Sequence, residues 1–431
     1  MRKNGTKTHR KLIAFVLTTT MVLSVTACNP VQKIECTNMY STNLMEGYTK
    51  QEIEPVLTEF NDEKEMDFAV RLFKQSIAEG ENSLVSPLSV FIALAMTANG
   101  AKGDTLTQMT DVFGFSVDTL NREFGSYIAN LSNGKDKCVD IANAIWFTDA
   151  EHFKVNPEFL QMNANYYEAG IYVAPFDETA TVEDINYWVK NKTHDMIPKV
   201  LDRIDPSAVM YLVNAVCFDA EWREKYTESA IRDDVFTAED GSSHKAQFMY
   251  SEESVYLEDE LATGFMKYYK EGGYAFVGIL PQEGLTVEKY VASLNGKKLY
   301  DFVTNKRGET VKAAIPKFEY DYDIELTEVL KVMGMPDAFN PSKADFTGLG
   351  SSTKGNICIN SVLHKTFISV DENGTKAAGV TVVAPGAESE PSEPKVVYLD
   401  RPFVYMILDT MTCTPLFIGT VVDLEADCGM E

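Results

Sequence analysis

The segment from Asp371 to Pro394 sets the tightest limit on how this chain folds. Its first half, residues 371–384, consists largely of small and β-branched residues that suit a strand. Its second half carries Pro385, Pro391 and Pro394 together with Glu388, Glu390 and Glu393. Proline cannot donate to a sheet ladder, so this half is an exposed loop. Long stretches without regular structure are uncommon inside compact domains and are usually functional or disordered. The chain does not end there. Strand-like runs follow at Val396 to Leu399, Phe403 to Leu408 and Leu416 to Val422, so the fold must close behind the loop.

Ahead of the loop, Phe68, Ala69, Leu72, Phe73 and Ile77 share one helical face, which predicts a helix opening the domain after Asp62. Ser86 followed by Pro87 reads as the capped start of a second helix that stops near Gly100. Strand-like runs lie at Val139 to Phe147, Met210 to Phe218, Tyr274 to Leu280 and Val311 to Ile315. Helices fall between the early strands and the closing third is mostly strand. This pattern predicts an α+β fold with large mixed or antiparallel sheets and surrounding helices. No repeat and no second linker appears, so residues 62–425 read as one domain and 426–431 as a tail.

The N-terminus reads as an export leader. Arg2, Lys3, Lys7, Arg10 and Lys11 precede an apolar stretch from Leu12 to Ala27, and Val25 to Cys28 resembles the lipobox of bacterial lipoproteins. On that reading residues 1–27 are removed, Cys28 carries a lipid and holds the protein to a membrane, and residues 28–61 form a tether. The domain is then exported, as a cell-surface lipoprotein or an extracellular protein. The chain of 431 residues carries 39 Lys+Arg against 64 Asp+Glu, a formal charge of -25. Loss of the five leader cations takes it to -30, since 34 minus 64 remain. Nucleic-acid affinity rests on cations that neutralise phosphates, so an acidic chain without a basic stripe excludes that class of partner.

Cysteines at 28, 36, 138, 217, 358, 413 and 428 show no C-x-x-C spacing, so neither a metal nor a cofactor is expected. Cys138, Cys217, Cys358 and Cys413 sit in apolar strand-like runs, as small hydrophobes do. No G-x-S-x-G, H-E-x-x-H or phosphate-binding loop occurs. Ser351 to Lys354 matches S-x-x-K, but no S-D-N or K-T-G follows, and the surrounding glycines mark a flexible loop. The chain is therefore not read as an enzyme.

Several ordered segments together resemble the serpin family, from about Phe68 to Leu424. They are Asn82 with Ser86, Pro87, Leu88 and Ser89; Asn143 to Trp146; Ile185 to Val189; and Leu212 to Ala215 running on to Trp222. Ile315 to Phe318, Phe339 with Asn340, Ala344 to Phe346, His364 with Lys365, Arg401 to Phe403, and Pro415 to Gly419 complete the likeness. One departure is Asp195, where the family usually has glycine; it bears on helix geometry.

The resemblance implies that about 372–402 is an exposed reactive-centre loop, a bait for serine proteases. In the family the cleaved loop inserts as a strand into the large sheet. Strand faces alternate, so Thr375, Ala377, Gly379, Thr381 and Val383 would share the inward face, and all are small or apolar and uncharged. Glu372, Gly374, Thr375, Ala377, Ala378 and Gly379 form the implied hinge, with Gly374 as its pivot. Counting along the loop puts the reactive bond at Glu388–Ser389, or alternatively at Ala387–Glu388. The first suits a glutamate-specific protease and the second an elastase-like one, with elastase-like targets preferred. Ser86, Ser89, Asn214, His364 and Trp222 resemble the residues that gate sheet opening. A monomeric suicide inhibitor is expected; the alternative is a non-inhibitory serpin acting as a protease substrate or binding protein.

Overall fold

The computed structural model describes residues 40–51, 62–133, 138–148, 151–270, 273–353, 355–375 and 393–424. Helix α1 (Asp62–Ser76) turns Phe68, Ala69, Leu72 and Phe73 inward. Helix α2 (Pro87–Ala98) starts where its composition predicts: the Ser86 hydroxyl accepts from the Ser89 N–H at 3.3 Å, and Pro87 occupies the first turn. Every residue of α2 is buried, as a helix apolar all round must be. It packs against strands of both large sheets, which makes it the axis of the core.

The main sheet contains β1 (Thr42–Asn43), β2 (Val139–Thr148), β3 (Gly170–Ala174), β4 (Met210–Phe218), β5 (Ala220–Glu221), β6 (Phe318–Glu325), β7 (Ser361–Val370) and β8 (Gly374–Thr375). Their order is β1-β3-β2-β4-β7-β8-β5, with β6 paired along the other side of β7. All residues of β4 are buried; α2 packs on the sheet at β2 and β4, and helix α3 (Thr179–Lys192) packs on β2. Strand β7 alternates cleanly, with Val362, His364, Thr366, Ile368 and Val370 buried.

A six-stranded antiparallel sheet runs Tyr256–Glu258, Ala262–Tyr268, Tyr274–Pro281, Phe403–Asp409, Thr414–Val421 and Ser83–Val85 in that spatial order. Beside it, Lys395–Tyr398 pairs in parallel with Val311–Pro316, followed by Ser243–Glu253 and Ile231–Thr237. The chain leaving the loop thus enters a sheet directly. The fold is the expected α+β arrangement of large mixed sheets and helices.

Three local features depart from the sequence reading. Part of the presumed tether is docked: Thr42 and Asn43 pair with Val173 and Tyr172 as an edge strand, and Ser41 donates twice to the Asp184 carboxylate on α3. Its polar composition hid this, because an edge strand is held by backbone bonds rather than by apolar alternation. Cys217 lies in a strand, but Cys358 lies in an irregular stretch and Cys413 in the hairpin turn after Phe403–Asp409, at φ 53°. Cys138, Cys217, Cys358 and Cys413 form no disulfide among the described residues. At the end of α3 both His194 (φ 51°) and Asp195 (φ 65°) adopt the left-handed conformation that favours glycine, so Asp195 holds a strained turn.

Candidate functional site

The main sheet is forked. Strands β4 and β7 pair in parallel from Ser361 opposite Tyr211 to Thr366 opposite Val216. Above that row β8 stands between β7 and β5, the short strand that follows β4: Thr375 faces Val370 on β7 and Ala220 on β5, antiparallel to both. Two residues of the implied loop are therefore already seated as a strand at the mouth of the fork.

Local chemistry holds this seat. The Asp371 carboxylate accepts from the N–H groups of Asn373 (2.7 Å) and Gly374 (3.1 Å), folding residues 371–374 into a turn. Across it, the Trp222 N–H donates to the Asn373 carbonyl at 2.9 Å and the Tyr226 N–H to the Glu372 carbonyl at 3.1 Å. The Trp222 indole N–H donates to the Asp371 carbonyl at 2.8 Å. The carbonyls of residues 371–373 are thus clasped by Trp222 and Tyr226. Lys317 pairs with Glu372 at 2.7 Å, and that hydrogen bond holds the Glu372 carboxyl below its ordinary range. Trp222 stacks on Tyr269 at 4.5 Å, and the Tyr269 hydroxyl meets the buried Thr375 hydroxyl.

Gly374 serves close approach rather than a left-handed pivot. It is absent from the positive-φ residues, and a Cβ on it would lie 2.1 Å from the Ala220 carbonyl oxygen.

Below the fork, Ser86, Ser89, Asn214 and His364 come together. The register places Asn143, Asn214 and His364 in one row across β2, β4 and β7. His364 Nε2 accepts the Ser86 N–H at 3.0 Å, so the imidazole proton sits on Nδ1 and is donated to Asn214 Oδ1. The Asn214 amide donates to the Ser89 hydroxyl and to Asn143 Oδ1. Burial pushes the His364 pKa down to about 3, so the ring is neutral. Trp222 is not in this cluster but in the clasp above it.

Ala377, Ala378, Gly379, Ala387, Glu388, Ser389 and Cys28 lie outside the described residues. Ser351 sits in a short strand, Gly350–Ser352, paired with Phe153–Val155; this gives it no base to activate it among the contacts described. Sequence reasoning missed Asn143 as a member of the polar row, and it missed Tyr226, Tyr269 and the buried Lys267 under the clasp. Lys267 left one signal, a lysine directly after the apolar pair Phe265–Met266 in the strand Ala262–Tyr268.

Comparison with known proteins agrees with this arrangement. A family model described as Serpin (serine protease inhibitor) matches residues 63–424. An uncharacterized serpin-like protein of Thermococcus kodakarensis is 30% identical, over 88% of this chain and 87% of that protein. Leukocyte elastase inhibitor A of Rattus norvegicus is 30% identical, over 82% of this chain and 97% of its own length. The crystal structure of the thermophilic serpin tengpin in its native state superposes with a TM-score of 0.83 at 47% identity, covering 89% of this chain and all of that one. The latent state of tengpin gives 0.75. The forked sheet, the clasped turn and the polar row thus belong to a chain that is a member of the serpin family.

Proposed function

We propose that this protein is a suicide inhibitor of serine proteases. The reading rests on the seated pair Gly374–Thr375: continued in the same register, each step along the loop moves one residue down both neighbouring strands. Thr381 would then enter between His364 and Asn214, where its hydroxyl can rejoin the hydrogen bonds that it separates. Ala384 would reach the last row, Ser361 opposite Tyr211, immediately before Pro385. The proline-free stretch and the slot have the same length, and Thr375 through Val383 put no charge on the inward face.

The protease serine Oγ attacks the carbonyl carbon of the reactive residue, the bond to the next nitrogen breaks, and the departing amine takes its proton from the protease histidine. An acyl ester joins the two proteins. About ten inserted residues gaining ladder bonds at roughly 1 kcal/mol each release on the order of 10 kcal/mol. That is comparable to the stability of a domain and enough to drag and distort the attached protease. Loss of its oxyanion hole then stalls deacylation.

The reactive bond is Glu388–Ser389, with Ala387–Glu388 as the alternative. Small residues around it and the likeness to an elastase inhibitor favour elastase-like targets over glutamate-specific ones. The leader supports export with a lipid at Cys28, and fatty-acid labelling lost in Cys28→Ala would bear this out.

Incubation with pancreatic elastase and with a glutamate-specific endopeptidase tests the reading. An SDS-stable adduct is expected, and the released fragment begins at Ser389 or at Glu388 according to the bond used. Cleavage without any adduct, and without a gain in heat resistance of the cleaved protein, would leave the non-inhibitory alternative.

A further inference from the structure

Lys267 is 3% exposed, in a strand where Phe265 and Met266 beside it are also buried. Its ammonium pairs with Glu253 Oε1 at 2.9 Å and lies 4.3 Å from the centre of the Tyr226 ring and 5.5 Å from that of Trp222. Burial works against the charge, yet Tyr226 and Glu253 outweigh it and raise the lysine pKa. A buried ion pair is weak evidence for stability, because an apolar pair of similar volume often does as well. The position of the charge is more informative. The two rings it touches belong to the two residues that clasp the turn, Trp222 through its backbone and indole N–H groups and Tyr226 through its backbone N–H. Trp222 also stacks on Tyr269, which meets Thr375. A chain of direct contacts therefore runs from Glu253 through Lys267 and the rings to the hinge.

We propose that Lys267 is a positioning residue for loop insertion: its ammonium, fixed by Glu253, holds Trp222 and Tyr226 in the geometry that clasps residues 371–373. Gly374 and Thr375 then stay seated at the fork as the first rung of the inserting strand. The proposal rests on the inhibitor reading above. Without the cation the rings are free to shift, the first rung leaves its seat, and insertion starts from an unpaired loop. The acyl-enzyme then has longer to hydrolyse.

The measurement is the number of moles of inhibitor consumed per mole of pancreatic elastase trapped, alongside the thermal stability of the uncleaved protein. Lys267→Met is expected to raise consumption roughly thirtyfold, the size of a lost desolvated cation–π contact. Lys267→Arg keeps a cation against both rings and stays near the wild-type value. The double variant Lys267→Met/Glu253→Gln leaves no unpaired charge, so it recovers folding stability and carries the measurement if the single variant does not fold. Its consumption stays raised if the cation positions the clasp. A wild-type value in the double variant overturns the proposal and makes Lys267 structural only. If the wild-type protein gives no adduct with either pancreatic elastase or the glutamate-specific endopeptidase, the inhibitor reading fails with it; a wild-type adduct with unchanged partition in the variants sinks only the role of Lys267.

Discussion

Two rows of paired residues, one from each large sheet, differ in kind. In the six-stranded sheet Val277, Met406, Ile418 and Val85 lie side by side, apolar and buried. In the main sheet the row is Asn143, Asn214 and His364, equally buried but joined by side-chain hydrogen bonds. Apolar contact is non-directional, so a strand forced through the first row would lose packing with nothing specific to regain. Hydrogen bonds can be exchanged for others of the same kind, and Thr381 carries a suitable group. The contrast teaches that one sheet is held shut by packing alone and the other by directional bonds, which on the inhibitor reading an entering strand can remake.

Five outcomes break or sharpen that contrast. Ile279→Ala in the closed sheet should cost about 4 kcal/mol in chemical unfolding, with the yield of protease adduct per inhibitor unchanged. Asn214→Ala should cost about 3 kcal/mol by orphaning groups on Ser89, Asn143 and His364. Unlike the first variant, it should lose inhibitory titre on warm storage, because an unlatched sheet takes up its loop without cleavage. Equal storage losses in the two variants would erase the distinction between the sheets.

The third outcome concerns pH. His364 titrates near 3 in the fold against 6.5 in the unfolded chain, so the unfolded chain binds the extra proton between these values. Its contribution is intact above pH 6.5 and is lost as pH falls, by about 2 kcal/mol at pH 5. His364→Gln should flatten that part of a denaturation-midpoint profile, and an unchanged slope would show the latch to be indifferent to the ring. Gly374→Ala, whose methyl would press on the Ala220 carbonyl, should cost about 1 to 2 kcal/mol, with amide exchange of residues 374–375 accelerated. Smallest, Ser41→Ala should cost about 1 kcal/mol and speed exchange at Thr42 and Asn43 without touching inhibition.

Elements whose causes are local were legible. The capped start of α2 needs only Ser86 and Pro87, and β4 announces itself by an apolar run that only Asn214 interrupts. Strand β7 was not read from its pattern, because His364 and Thr366 occupy buried positions while Leu363 and Phe367 are only half-buried, which masks the alternation. Ser86, Ser89, Asn214 and His364 were named through resemblance, but Asn143 joins them only through cross-strand register. The docked strand β1 escaped notice because backbone bonds leave no side-chain signature.

By itself the sequence determined that this chain has a capped buried helix, long apolar strands, and a proline-free, small-residue stretch ahead of an acidic, proline-rich loop. Those follow from periodicity, caps and ring chemistry, which act over a few residues. Only the tertiary structure decided that the stretch starts out seated between two strands and that residues 222–226 clasp its carbonyls. It alone put a buried lysine beneath that clasp. The clasp joins residues about 150 positions apart and the lysine joins residues about 40 apart, and no local rule encodes which distant donor will meet an orphan carbonyl.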